Sequence, residues 1–250
     1  MELIKIALGD YPKYEELLLR KDKFEKEALH WYNEYIRVFG KYLIGLFEVK
    51  VECIRLKKLI ALAQAAINQG LAPDMDDING LVDEQMQSYY DDLQNMIKDH
   101  ETSRKAKQLP EHVILKIKKI YREIAKILHP DINPETQKDP VLTDLWNRVV
   151  TAYKCNQPED LEELQVLVNS ALEEKGIDVS KIVIPDIEEK IKELEQKINE
   201  IITTDPYNYK FLLEDREETA QRIQDLEDDT KQYTDYKNEL ESVLKELIGE

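Results

Sequence analysis

The sequence predicts an all-α protein on three grounds. Apolar residues recur at steps of three and four along most of the chain, turn-forming residues are few, and no segment shows the strict alternation of a strand. Only 7 glycines and 9 prolines punctuate 250 residues, of which 35% are charged, a composition suited to long solvated helices. Such a length allows more than one folding unit. The punctuation divides it into a long-helix hairpin over 1–108, a central helical region over 109–175 and an acidic coiled-coil hairpin over 176–250.

In the first region, Leu17, Phe24, Ala28, Trp31, Tyr35, Val38 and Tyr42 form one helical seam, and Leu46, Val49, Cys53, Leu56, Ile60, Ala63 and Ile67 continue it after a phase shift. Only Gly40 and Gly45 mark that shift. With no polar turn residue beside them, one long, locally disturbed helix is favoured over a tight hairpin. Gly70 and Pro73 stop it, and Asp74 or Asp76 caps the next helix, since a short polar side chain there accepts from the free N–H groups of the first turn. That helix carries Val82, Met86, Tyr89, Leu93 and Met96 on one face and is expected to fold back antiparallel on its predecessor. The polar stretch 99–108 has no periodicity and reads as a linker ending near Pro110.

Gly176 and Pro185 bracket a second linker. The third region then shows Ile187, Ile191, Leu194, Ile198 and Ile201 as one arm. Thr203, Thr204, Asp205 and Pro206 form a turn, with Asp205 as N-cap and Pro206 at the first helical position. Thr219, Ile223, Leu226, Thr230, Tyr233, Lys237, Leu240, Leu244 and Leu247 make the return arm, its seam weakened by polar members. Residues 186–250 hold 20 acidic and 9 basic side chains, a net of −11. Such a hairpin serves as a solvated antiparallel coiled coil, a spacer, a dimerisation arm or a client-holding arm.

A net charge of −17 argues against nonspecific nucleic-acid binding and against adhesion to an anionic membrane, both of which need clustered Lys and Arg. It is most simply a source of solubility. Cys53 and Cys155 form no CxxC pair, so zinc and redox chemistry have no support, and no metal or cofactor is expected. Residues 1–10 lack the apolar core of a secretory signal, and the best apolar run, 59–67, is far too short to span a bilayer. A cytoplasmic protein is the expectation.

The chemistry concentrates between 111 and 134. Ile114, Ile117, Tyr121, Ile124 and Leu128 lie on one face of a predicted helix; Lys119, Arg122 and Lys126 lie along another, with Lys116 and Lys118 beside them. Over 111–128 five basic and two acidic residues give a net +3 inside an acidic chain. A basic helix face steers toward an acidic partner, although Lys-rich solvated faces are commonplace. Pro130 disfavours helical geometry at His129, so the helix stops at His129-Pro130-Asp131, with His and Asp expected to hydrogen-bond outward. Asn133-Pro134 continues the loop. Asp139 and Pro140 then supply the cap and first position of another helix, packed through Leu142, Leu145, Val149 and Ala152 with Trp146, Val150 and Tyr153 alongside.

The run Ile117-Lys118-Lys119-Ile120-Tyr121-Arg122-Glu123-Ile124-Ala125-Lys126-Ile127-Leu128-His129-Pro130-Asp131-Ile132-Asn133-Pro134 resembles helix II and the His-Pro-Asp loop of the DnaJ family. Val149-Val150-Thr151-Ala152-Tyr153 resembles the family's I-x-x-A-Y on helix III. The likeness covers about residues 111–156. It implies a J-domain-like unit that docks on a DnaK-type ATP-driven chaperone and stimulates its ATPase. Hydrolysis then occurs in the partner, so the chain itself is not expected to be an enzyme. Carried over by position, His129, Pro130 and Asp131 are the trigger; Tyr121, Lys118, Lys119, Arg122 and Lys126 are the docking face. Three features depart from the family. No recognisable helix I precedes Pro110, a role the N-terminal hairpin can take over; Glu123 stands where a basic residue is common; and no Gly/Phe-rich linker, cysteine repeat or β-rich client domain follows. The resemblance therefore points to an atypical co-chaperone whose coiled coils hold an unidentified client or a second copy of itself. The alternative is a coiled-coil scaffold in which the J-like segment only packs.

Overall fold

The computed structural model describes residues 2–105, 109–176 and 186–249. Among them are nine helices and no strand: α1 (Glu2–Asn68), α2 (Met75–Lys105), α3 (Glu111–Leu128), α4 (Glu135–Lys138), α5 (Pro140–Lys154), α6 (Pro158–Lys175), α7 (Ile187–Thr203), α8 (Tyr209–Glu214) and α9 (Arg216–Ile248). The fold is all-α, and no described helix is long and apolar enough to cross a membrane. The chain forms two compact units, Met1–Leu29 with Lys107–Tyr207 and His30–Ala106 with Asn208–Glu250. This division cuts across the three consecutive regions, because the opening part of α1 belongs with the central helices.

In the first unit, α3, α5 and α6 close one core. The predicted apolar face of α3 is buried at Ile117, Tyr121, Ile124 and Leu128. Helix α5 begins at the expected cap: Asp139 accepts from the N–H groups of Val141 and Leu142 at 2.9 and 3.2 Å, and Pro140 takes a position whose N–H has no helical partner. Leu161, Leu164, Val168 and Leu172 of α6 complete the core. Lys175, in the last turn of α6, reaches Asp139 at 2.5 Å and ties the end of α6 to the start of α5. Helix α6 ends on Gly176 at φ +60°, a left-handed position where a Cβ would be strained. The linker expected beyond Gly176, as far as Pro185, lies outside the described residues. A second core joins Tyr14, Leu17 and Leu18 of α1 to Ile187, Ile191, Leu194 and Ile198 of α7, with Ile132 inserted from the loop after α3.

In the second unit, α1 is unbroken through Gly40 and Gly45, as the lack of turn residues predicts. Gly40 has a packing reason: a Cβ there would lie 2.5 Å from Cδ2 of His100 on α2. Leu46, Cys53, Leu56 and Ala63 of the expected seam are buried, and so are Val51 and Leu59. The buried arc is wider than a two-helix seam because α2, through Ile78, Val82 and Met86, and α9, through Leu240 and Leu244, both pack here. Helix α2 starts at Asp74, whose carboxylate accepts from the N–H groups of Asp76 and Asp77.

Three expectations need correction. The stretch 99–105 is helix rather than linker. Its polar side chains find partners: buried Ser103 donates to Asn33, and Thr102 donates to the Lys98 carbonyl. Residues 106–108 of that expected linker lie outside the described residues. The C-terminal arms bury their seams on α1: α7 against Tyr14, Leu17 and Leu18, and α9 through Leu226 against Phe39 and Leu46. A return seam interrupted by Thr219, Thr230 and Lys237 offers less apolar area than α1 does. Finally, the cap of α9 is Asp215, which accepts from the N–H groups of Glu217 and Glu218 at 2.8 and 3.1 Å. Asp205 and Pro206 sit instead in a turn that leads to α8.

Candidate docking site

Helix α3 stops where Pro130 demands it. His129 adopts extended geometry, φ −57° and ψ 128°, while its N–H still donates to the Ala125 carbonyl. The carbonyl of His129 accepts from the N–H groups of Ile132 and Asn133 at 2.9 and 2.7 Å, which folds the loop back. Asn133 is fully buried. Its Nδ2 donates to the Ile127 carbonyl, one of the last-turn acceptors that a helix leaves unpartnered, and its Oδ1 accepts from the Glu135 N–H, both at 3.1 Å. The corner is therefore held by the side chain two positions after the tripeptide, a role the sequence reading did not give Asn133.

His129 does not face outward as expected. It is 9% exposed, its ring lies edge-on against Trp146 of α5 at 4.8 Å, and Nδ1 accepts the Asp131 N–H at 3.1 Å. That acceptance puts the proton of the neutral ring on Nε2. Burial pushes the His129 pKa down, against the upward pull of the Asp22 and Asp131 carboxylates. Pro130 is half-buried and Asp131 is exposed.

The expected docking face divides in two. Lys119 and Arg122 are exposed, with Leu115, 59% exposed, on the same strip. Neighbouring Lys116 pairs with Glu162 of α6. Tyr121 is buried instead, stacked on Tyr153 at 3.8 Å between ring centroids. Its hydroxyl donates to Asp22 of α1 at 2.7 Å, and burial followed by the Asp22 charge raises its pKa. The Asp22 carboxyl is itself raised from its ordinary value, because burial outweighs the Tyr121 hydrogen bond and the nearby His129 and Lys21. Lys126 is exposed on its outer side but pairs with Glu15 of α1 at 2.8 Å. Lys118 is half-buried near Lys26, which donates to the Tyr153 carbonyl at 2.7 Å and sits 3.8 Å above its ring. Burial first, then Lys118, lowers Lys26 to about 8. Glu123 accepts from Gln165 of α6 and so faces that helix.

Glu15, Asp22 and Lys26 were not singled out in the sequence. Glu15 and Asp22 are seven residues apart and so share a helix face, but an acidic stripe has no contrast in a chain of net charge −17. Asn133 lay within the DnaJ-like run, with nothing to show that its amide would cap α3. Among the described residues no group of three or more His, Cys, Asp or Glu side chains is placed to hold a metal ion. No protein-family model, curated protein or solved structure matches the chain.

Proposed function

We propose that this chain is a co-chaperone adaptor that docks on a DnaK-type ATP-driven chaperone through α3 and the His129-Pro130-Asp131 corner and stimulates its ATPase. The observation that carries the reading is one arrangement of parts: a lysine- and arginine-bearing helix ends in a His-Pro-Asp turn locked by Asn133 and braced on Trp146. Such a corner is pre-organised, so little conformational freedom is lost when a partner binds it. Exposed Lys119 and Arg122 provide the first contact with an acidic partner surface, and exposed Asp131 offers an acceptor for a basic group of the partner at the corner. The remaining helices would hold a client or a second copy. A cytoplasmic setting belongs to the same proposal, and both cysteines are free thiols.

The test is ATP turnover by a DnaK-type chaperone with added protein, then with Asp131→Asn and with the pair Lys119→Glu and Arg122→Glu. Stimulation that disappears in the variants supports docking. A second reading, a helical scaffold in which this segment only packs, draws on the burial of His129 and Tyr121. It gains if the chaperone is not stimulated even after the α1 contacts are removed.

A further inference from the structure

We propose that the 12–29 segment of α1, together with α7, is a built-in lid that occupies half of the docking edge and must leave before the edge is fully available. This rests on the docking reading above. At Glu15 and Asp22, segment 12–29 meets the edge with the chemistry expected of an acidic partner. Glu15 takes Lys126, Asp22 takes the Tyr121 hydroxyl, and Lys26 closes the far end on the Tyr153 carbonyl and ring. At the corner, Ile132 is buried against Tyr14, Leu18 and the α7 seam. Tyr121 and Lys126 are thus engaged and His129 is buried, while Lys119, Arg122 and Asp131 remain open.

Separability follows from how the two cores are built. The fully buried members of the α3–α5–α6 core all come from those three helices, and α1 adds only partly buried Leu19. That core persists without the lid. Lid helix α1 and α7 share their own seam, supported by the Lys13–Glu195 pair, so they can move as one piece and uncover Ile132 together with Tyr121. What fastens the lid to the edge is the Ile132 contact and a short set of polar contacts, of which a competing acidic surface can replace those made by Glu15 and Asp22. Exposed Lys119 and Arg122 give such a partner its first hold, and displacement of Glu15 and Asp22 completes the engagement. A closed resting state lowers the apparent affinity by the fraction of molecules that are open.

The experiment uses the full chain with Glu15→Lys and Asp22→Lys. Two readouts are taken: hydrogen exchange over 12–29 and 129–133, and the protein concentration giving half-maximal stimulation of a DnaK-type ATPase. The lid predicts faster exchange in those segments by about tenfold, with protection in α5 and α6 retained. It also predicts a half-maximal concentration lower by on the order of tenfold. Faster exchange with unchanged stimulation overturns the lid and leaves docking standing; unchanged exchange also overturns the lid. Faster exchange with no stimulation by either protein sinks the docking reading and the lid with it. A second form guards against misfolding of the charge variant: Lys26→Cys, joined to the neighbouring native and exposed Cys155 by a short bis-maleimide with a reducible spacer. The locked protein is expected to be silent and to recover on reduction; stimulation while locked overturns the lid.

Discussion

Removing the Tyr121 hydroxyl tests whether the α1 contact holds in solution. Tyr121 is 5% exposed and donates to Asp22 at 2.7 Å. In Tyr121→Phe the ring keeps its stack on Tyr153, so little packing is lost. Asp22 keeps Lys21, at 3.9 Å, as an ion-pair partner. A hydrogen bond to a charged group contributes about 1.5–3 kcal/mol, and Tyr121→Phe is expected to destabilise the first unit by that amount. Asp22→Asn keeps an acceptor and should cost less. The double variant then isolates a coupling of about 1–2 kcal/mol, within the range found for residues in direct contact. The assay is urea unfolding followed by Trp146 fluorescence in a Trp31→Phe background, since Trp146 lies 6.0 Å from the Tyr121 ring. A coupling below about 0.3 kcal/mol, the level expected of independent sites, would refute the reasoning, because it means α1 is not seated on α3.

Three further outcomes follow from the same geometry. Asn133→Ala should cost about 2–4 kcal/mol in the Trp146 unfolding assay, since it empties the fully buried Asn133 site and removes its bonds to the Ile127 carbonyl and the Glu135 N–H; a cost under about 0.5 kcal/mol, typical of an inert surface site, contradicts the corner described. The His129 pKa is lowered in the folded protein, so the unfolded chain binds the extra proton and stability falls as pH drops below about 6.5. Asp22, raised in the folded state, acts with the opposite sign as pH falls toward the carboxylate range, so the comparison is native against His129→Gln between pH 7.5 and 5.5; equal slopes would show that His129 is not buried as a neutral ring. Gly40→Ala should destabilise the second unit by about 1–3 kcal/mol through overpacking against His100, and adding His100→Ala should recover most of that loss in thermal melts.

What was legible in the sequence was local. The face of α3, the stop at Pro130 and the Asp139-Pro140 start of α5 each depend on residues within a turn or two of one another, and all three are present. The unbroken course of α1 was legible for the same reason: no turn chemistry interrupts it. Partner choice was not. The heptads of α7 and α9 state only that each helix needs an apolar neighbour, and different stretches of α1, Tyr14 to Leu18 and Phe39 to Leu46, supply it. Polarity misled at 99–105, where an aperiodic stretch is helical: Thr102 satisfies its hydroxyl along the helix and Ser103 satisfies its own on Asn33 of α1. At the candidate site the basic strip and the tripeptide could be named, but the burial of this edge depends on Asp22 meeting Tyr121, and Tyr14 and Leu18 meeting Ile132, across about a hundred residues of chain, a placement that no local pattern encodes.

The central claim is that the His129-Pro130-Asp131 corner acts on an ATPase. Its most direct measurement is the single-turnover hydrolysis rate of a DnaK-type chaperone mixed with the Glu15→Lys, Asp22→Lys protein, and with the same protein also carrying Asp131→Asn. The account predicts acceleration of about fivefold or more by the first and a return to the rate of the chaperone alone with the second. Equal acceleration by both proteins, or none by either, would contradict it.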